Sequence, residues 1–370
     1  MPRINETTDG PLPTTTEVTA SSLEGGRASL ADMARRLAPH CARSASRQRV
    51  MASLQGLLSA AERQNRWQVA DICGEPAPYG FQYLLHRADW DADAVRDALR
   101  RSIIPHLGDP HAVLVLDETG FVNKGRHSAG VARQSTGTVG EVENCQRGVL
   151  LGYASPLGQA LPDRALSLPP EGTDGRGRCQ QAGIPGGRGF ATKPQLARAF
   201  AAGVPATWVT GASGYGANRR LGVWLEAQPQ ASVLAVSGQE DGGLGWHHRR
   251  VKPLRAALPE EGWARLSAGD GAQGPRWYDW CWRPLAAPLE PGWGRWWRVR
   301  RSSSAPADLT ASMVFAPQAA ALEAVVPGAA GRARAVLRRP RGKWAWSTMQ
   351  CGPGPAGSAR SPSPWGRWPC

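Results

Sequence analysis

The run Ala112-Val-Leu-Val-Leu116 constrains this chain more than any other segment. An unbroken apolar run of this length leaves no polar face, so it reads as a strand buried on both sides. Such a strand needs neighbours on both edges and a covering layer on each face. The sequence supplies them in order. Segments 148–154 and 160–168 read as the next two strands, 193–202 as a helix and 206–210 as a strand. A helix over 218–226 and a strand over 232–236 follow. Three strands and then alternating helices and strands imply a mixed α/β domain.

The flanks follow different patterns. From 31 to 105 the apolar spacing is helical: Met51, Leu54, Leu57, Leu58 and Ala61 recur on one face, with Arg49, Arg63 and Arg66 left to solvent. A further helix is expected over 92–104, with Asp91 or Asp93 near its start. Residues 1–30 are rich in Thr, Ser, Gly and Pro without periodic apolar positions, and read as a disordered leader. Segment 238–315 is richer in Trp and Gly, and 277–282, 293–300 and 311–315 read as strands of a β-rich insertion. The expected division is a leader (1–30), a helical DNA-binding domain (31–108), an α/β core (109–326) with the insertion at about 238–315, and a tail (327–370).

Charge points to a polyanionic partner, with a discount. The net charge is +14, but residues 327–370 hold eight Lys/Arg and no Asp/Glu; taking those eight away leaves +6. A body at +6 is compatible with DNA binding without establishing it. No stretch reaches the length of a membrane span and 1–25 lacks an apolar signal region, so a cytoplasmic protein without a membrane partner is expected. The seven cysteines include no C-x-x-C and no zinc spacing, and read as reduced thiols. The sixteen Trp, four of them in the tail, read mainly as packing residues rather than base-stacking platforms. His247-His-Arg-Arg250 reads as a solvated loop with phosphate contact as the alternative.

Asp117 ends the apolar run, where a rigid strand would hold a carboxylate for a hard cation. Alone, an Asp in that place is more often a turn or cap residue. Its surroundings are more specific. Leu114-Val-Leu-Asp-Glu-Thr-Gly-Phe-Val-Asn-Lys-Gly-Arg-His-Ser-Ala-Gly-Val-Ala-Arg-Gln134 resembles the first active-site block of insertion-sequence DDE transposases. Gly137–Gln146, Phe190–Ala197, Leu57–Arg63 and Arg87–Arg96 continue the resemblance, which covers roughly 48–326. It implies an RNase H-like mixed sheet core with a β-rich insertion, preceded by a helical domain. It also implies three carboxylates holding two Mg²⁺ or Mn²⁺ ions for in-line attack on phosphorus. Asp117 would be the first catalytic acid and metal ligand, with Lys124, Arg126 and His127 beside it as candidate DNA-backbone contacts.

The second acid is implied in the block Trp208-Val-Thr-Gly-Ala-Ser-Gly-Tyr-Gly216, where this chain carries Ala212. Alanine cannot ligate a metal, and Ser213 offers only a neutral hydroxyl, so metal binding is expected to be impaired. The same segment superficially resembles the glycine-rich turn of short-chain dehydrogenases. Its spacing is G-x-x-G-x-G, however, and no Tyr-x-x-x-Lys occurs anywhere, so a dinucleotide-binding oxidoreductase stands as a distant alternative.

No block carrying the third acid is found. Yet Pro327-Gly-Ala-Ala-Gly331 can be encoded by CCG GGC GCC GCT GGG, which, preceded by G, reads GCC GGG CGC CGC TGG, or Ala-Gly-Arg-Arg-Trp, in the shifted frame. Pro340–Trp346 similarly permits Ala-Lys-Gly-Glu-Val-Gly-Leu at the same offset. Both are phrases of the family's third block, so a frameshift near Val326 is expected to have removed the catalytic Glu.

The expected activity is therefore transposase chemistry on terminal repeats and target DNA, lost in this copy, with room for a homo-oligomer on DNA. A non-enzymatic remnant that recognises element ends is the alternative. Sequencing the gene from codon 315 past its stop should reveal the shifted block and flanking inverted repeats; a tail coded without them would refute the frameshift.

Overall fold

The computed structural model describes residues 20–59, 65–123, 125, 128, 130–135, 142–168, 191–201, 204–236, 258, 262–271, 274–285, 289–302 and 309–320. Five helices come first: α1 (Ala20–Leu37), α2 (Ser44–Leu58), α3 (Arg66–Ile72), α4 (Tyr79–His86) and α5 (Ala92–Leu107). Asn65 caps α3 by accepting the Gln68 N–H at 2.9 Å, and Asp91 caps α5 by accepting the Asp93 and Ala94 N–H groups at 3.0 Å. Val69, Ala70 and Phe81 form a small core between α3 and α4, closed by Ala52 of α2.

Helix α1 begins inside the stretch expected to be a disordered leader. Its stripe Leu30, Met33, Ala34, Leu37 straddles the expected boundary at helical spacing, with Leu37 buried. Extending a nucleated helix costs far less than starting one, so the helix continues back through Gly25 and Gly26.

The described strands form one ten-stranded sheet. They are β1 (Val113–Val122), β2 (Ala132–Ser135), β3 (Val142–Ser155), β4 (Gly158–Ser167), β5 (Trp208–Gly211), β6 (Ala231–Val236), β7 (Trp263–Gly271), β8 (Gly274–Pro284), β9 (Trp293–Ser302) and β10 (Leu309–Pro317). Helices α6 (Lys193–Ala201), α7 (Ser213–Gly216) and α8 (Arg219–Ala227) complete the described elements. The strand order is β2-β3-β1-β5-β6-β10-β9-β8-β7, with β4 beside β2 on the outer edge of β3. Strands β1, β3 and β4 run antiparallel, whereas β1, β5 and β6 are parallel. This is the mixed α/β architecture expected, with helices ahead of the sheet.

Strand β1 is buried on both faces, as its composition requires. Leu114 and Leu116 join Val149, Leu151, Leu196, Leu221 and Leu225 in a core that α6 and α8 cover. Val113 and Val115 face the other way, with Val233, Val314, Trp282 and Trp296. The β-rich segment continues this sheet rather than standing beside it, because β10 pairs antiparallel with both β6 and β9. Two strands are absent from the expected set. Strand β2 is short and mostly polar, and among the described strands β7 lies at the edge and pairs only with β8. No helix among the described residues is long and apolar enough to cross a membrane.

Helix α5 is tied to the sheet through Asp163 of β4, which is 6% exposed. Its carboxylate meets Arg96 Nε at 3.4 Å and Arg100 Nη1 at 3.1 Å. Burial pushes the Asp163 carboxyl up, opposed by the Arg164 N–H and the two guanidiniums. The intact pair is therefore worth less than bare Coulomb attraction suggests. Removing one partner is costlier, because cations remain in a desolvated place. Asp163→Ala should lower stability by about 3 kcal/mol, read as an earlier urea midpoint. A variant as stable as the parent would show that this contact does not anchor α5.

Candidate active site at the ends of β1 and β5

The parallel pairing of β1 and β5 places side by side the two positions expected to carry the first two acids. The register runs from Val113 opposite Trp208 to Leu116 opposite Gly211. Asp117 and Ala212 are the next residues on each strand. Ala212 keeps an extended backbone, with φ −65° and ψ 173°, and is exposed. Asp117 is half-buried. It was expected to end its strand, but β1 continues to Val122 because β3 pairs along its whole length. What ends beside Asp117 is β5, and the loss of that neighbour uncovers the carboxylate position.

Ala212 is also the N-cap of α7, and its side chain makes no capping bond. Its carbonyl accepts the Tyr215 N–H at 2.9 Å. Tyr215 is fully buried and its hydroxyl donates to the Asp117 carbonyl at 3.2 Å, which ties the turn to β1. Burial raises the Tyr215 pKa well above its ordinary value, and the charges of Glu118 and Asp117 push the same way. The phenol therefore stays a neutral donor. Gly216 lies so close to β6 that a Cβ would strike the Ala235 carbonyl, and a Cβ on Gly211 would sit 3.1 Å from Tyr215 Cβ. Internal packing thus accounts for these glycines without any ligand.

Glu118 is adjacent in sequence but occupies the opposite face of β1, by the alternation of a strand. There it pairs with Arg147 Nη1 of β3 at 3.1 Å and Lys193 Nζ of α6 at 2.5 Å. It cannot substitute for an acid at position 212. Glu118, Arg147, Lys193 and Tyr215 were not foreseen as a cluster. Their residues lie in or beside the family-like blocks, but only the fold brings them together.

The other candidates are placed as follows. Lys124, Arg126 and His127 lie outside the described residues, as do His247–Arg250 and the whole of 327–370. Asp270 sits in β7 near its hairpin with β8, opposite Pro275. Among the described residues no group of three or more His, Cys, Asp or Glu side chains is placed to hold a metal. The donors at the strand ends do not fit a pair of divalent ions: one carboxylate faces an alanine, and the nearby Glu118 is turned away to two cations.

A protein-family model described as DDE superfamily endonuclease matches residues 36–253. A stretch of 107 residues is 29% identical to the probable transposase for insertion sequence element IS701 of Microchaete diplosiphon. That stretch spans 28% of this chain and 28% of the curated relative. The family match includes both strand ends and extends over more than half of the 370 residues, so the chain belongs to the DDE superfamily endonuclease family.

Proposed function

We propose that this protein is an insertion-sequence transposase that has lost strand cleavage and transfer and keeps the ability to bind DNA. The carrying observation is the register that sets Asp117 beside Ala212. Nucleases of this superfamily depend on divalent metals, here taken as Mg²⁺ or Mn²⁺, and two-metal chemistry needs carboxylates bridging and flanking the ions. One acid beside a methyl group supplies neither the charge nor the donors. The frameshift reading of residues 327–370 removes a further acid and points the same way.

The proposed partners are the terminal repeats of the element and target DNA. Support comes from the net charge and from the helices ahead of the sheet, where Trp67 and Tyr79 are exposed and Arg43 donates to the Tyr83 hydroxyl at 3.2 Å. An exposed tyrosine beside a guanidinium suits stacking and phosphate contact together. A non-enzymatic remnant bound to element ends, interfering with intact copies, is the biological form this reading takes. With element-end duplex and Mg²⁺ or Mn²⁺, the purified chain should bind in a salt-sensitive way and leave both strands intact. Metal-dependent cleavage or joining would overturn the reading.

Ala212→Asp gives a sharper test. The new side chain would cap α7, a gain of about 1 kcal/mol. It would also lie one strand spacing from Asp117, where like charges repel by about 3 kcal/mol at an effective dielectric constant near 20. Repulsion wins. The variant should be less stable than the parent without metal and recover as Mn²⁺ is added, while the parent responds little. Equal Mn²⁺ responses would show that position 212 is not a lost ligand.

A further inference from the structure

The arginines of the N-terminal helices differ in how their charge is compensated. Arg35 and Arg36 of α1 pair with Asp32, and Arg96 and Arg100 of α5 pair with Asp163. Arg43, Arg47 and Arg49, at the start of α2, have no carboxylate partner among the described residues. The sequence explains the difference, since no Asp or Glu occurs between Asp32 and Glu62. These cations also crowd the positive end of the α2 dipole, where folding alone would favour acids. Arg43 and Arg47 are exposed, so this end of α2 presents uncompensated positive charge to solvent.

Helix α4 lies against this basic end and adds two aromatic rings. Tyr79 is 70% exposed and Tyr83 is 37% exposed, and they stand four residues apart on one face of the helix. Phe81 and Leu84 take the buried side instead. Arg43 Nη1 donates to the Tyr83 hydroxyl at 3.2 Å, and the Arg49 guanidinium lies against Gly80, where any Cβ would strike it. The Arg43 contact is made at the rim of the Tyr83 ring and leaves its faces uncovered. Among the described residues neither tyrosine ring stacks on another ring or on a cation. Single exposed rings are ordinary on a protein surface. Here, of the four Trp, Tyr and Phe residues that stand exposed among the described ones, three (Trp67, Tyr79 and Tyr83) lie on α3 and α4.

We infer that the α2–α4 face takes an unpaired DNA strand, with Tyr79 and Tyr83 stacking on bases and Arg43 and Arg47 meeting its phosphates. The inference rests on the DNA-binding reading above. A ring can stack only on a base whose face is open. In a duplex each face is covered by the next base pair, about 3.4 Å away along the strand. An intact duplex would therefore use the charges and leave the rings idle. Four residues of α-helix rise about 6 Å, so the two rings are spaced for bases splayed apart rather than stacked on each other. Stacking supplies affinity that tolerates any sequence, and the guanidiniums attract the backbone. A second copy of this chain fits less well, because a symmetric contact would set the same uncompensated arginines against each other.

The test uses the full chain and fluorescence anisotropy over a salt series, with two labelled probes: a short oligo-dT and a duplex of element-end sequence. Tyr79→Ala removes a mostly exposed ring. It should bind oligo-dT about tenfold more weakly with an unchanged salt slope, and the duplex within about twofold of the parent. Tyr83→Ala should behave in the same way, whereas Tyr83→Phe keeps the ring and should bind oligo-dT as the parent does. Arg47→Gln should reduce the magnitude of the oligo-dT salt slope by about 0.7. If Tyr79→Ala and Tyr83→Ala bind oligo-dT as tightly as the parent, or lose duplex binding to the same degree, the platform for an unpaired strand is overturned. A parent that binds the duplex and not oligo-dT overturns it too, and leaves the DNA-binding reading standing. A parent that binds neither probe removes both.

Discussion

The parallel pairing of β1 with β5 is the interaction on which the rest of the structure depends. Strand β1 holds β3 along ten residues but β5 along only four. Where β5 is present, β1 is apolar on both faces, because its side chains are buried on both. Where β5 stops, one edge of β1 opens and the sequence turns polar at Asp117. The turn after β5 must then leave the sheet at once. Gly211 and Gly216 allow the close approach this requires, and Tyr215 fastens the turn to the Asp117 carbonyl. Packing thus fixes two backbone positions side by side without help from any side chain at position 212.

The two faces of the sheet are treated differently in electrostatic terms. On the helix-covered face every prominent buried charge has an opposite partner: Asp163 with Arg96 and Arg100, Glu118 with Arg147 and Lys193, Glu226 with Arg295. These pairs join elements far apart in sequence, and their value lies in register and docking more than in net free energy. On the other face, Arg298 of β9 is 7% exposed and donates to Ser312 Oγ, and among the described residues it has no carboxylate partner. Strand β10 joins the two parts of the sheet, because it pairs with β6 on one edge and β9 on the other.

Much of this was legible in the sequence, for physical reasons that differ by element. The apolar run at 112–116 and the strands around 148–154 and 232–236 announce themselves because both of their faces are buried. Helices α5 and α8 carry Asp and Asn at their caps, so their starts could be read directly. Strand β2 has too few apolar residues to show a period, α7 is a single turn created by tertiary packing, and the first turns of α1 inherit order from its later stripe. That positions 117 and 212 are neighbours was not readable from spacing, which does not say which strands pair. The face taken by Glu118 and the pairing of Arg298 with Ser312 depend on register, and register is a property of the folded sheet.

Why such a chain can keep its fold with an alanine at a position where an acid is implied follows from the local energetics. An acid at 212 would cap a single-turn helix, a gain of about 1 kcal/mol. It would also stand beside Asp117, where repulsion in the absence of metal outweighs that gain. An alanine at 212 avoids that repulsion. Ala212 is exposed, leaves no cavity, and keeps the extended backbone that positions Tyr215. The fold therefore has no means of opposing this substitution; only a requirement for metal chemistry would do so.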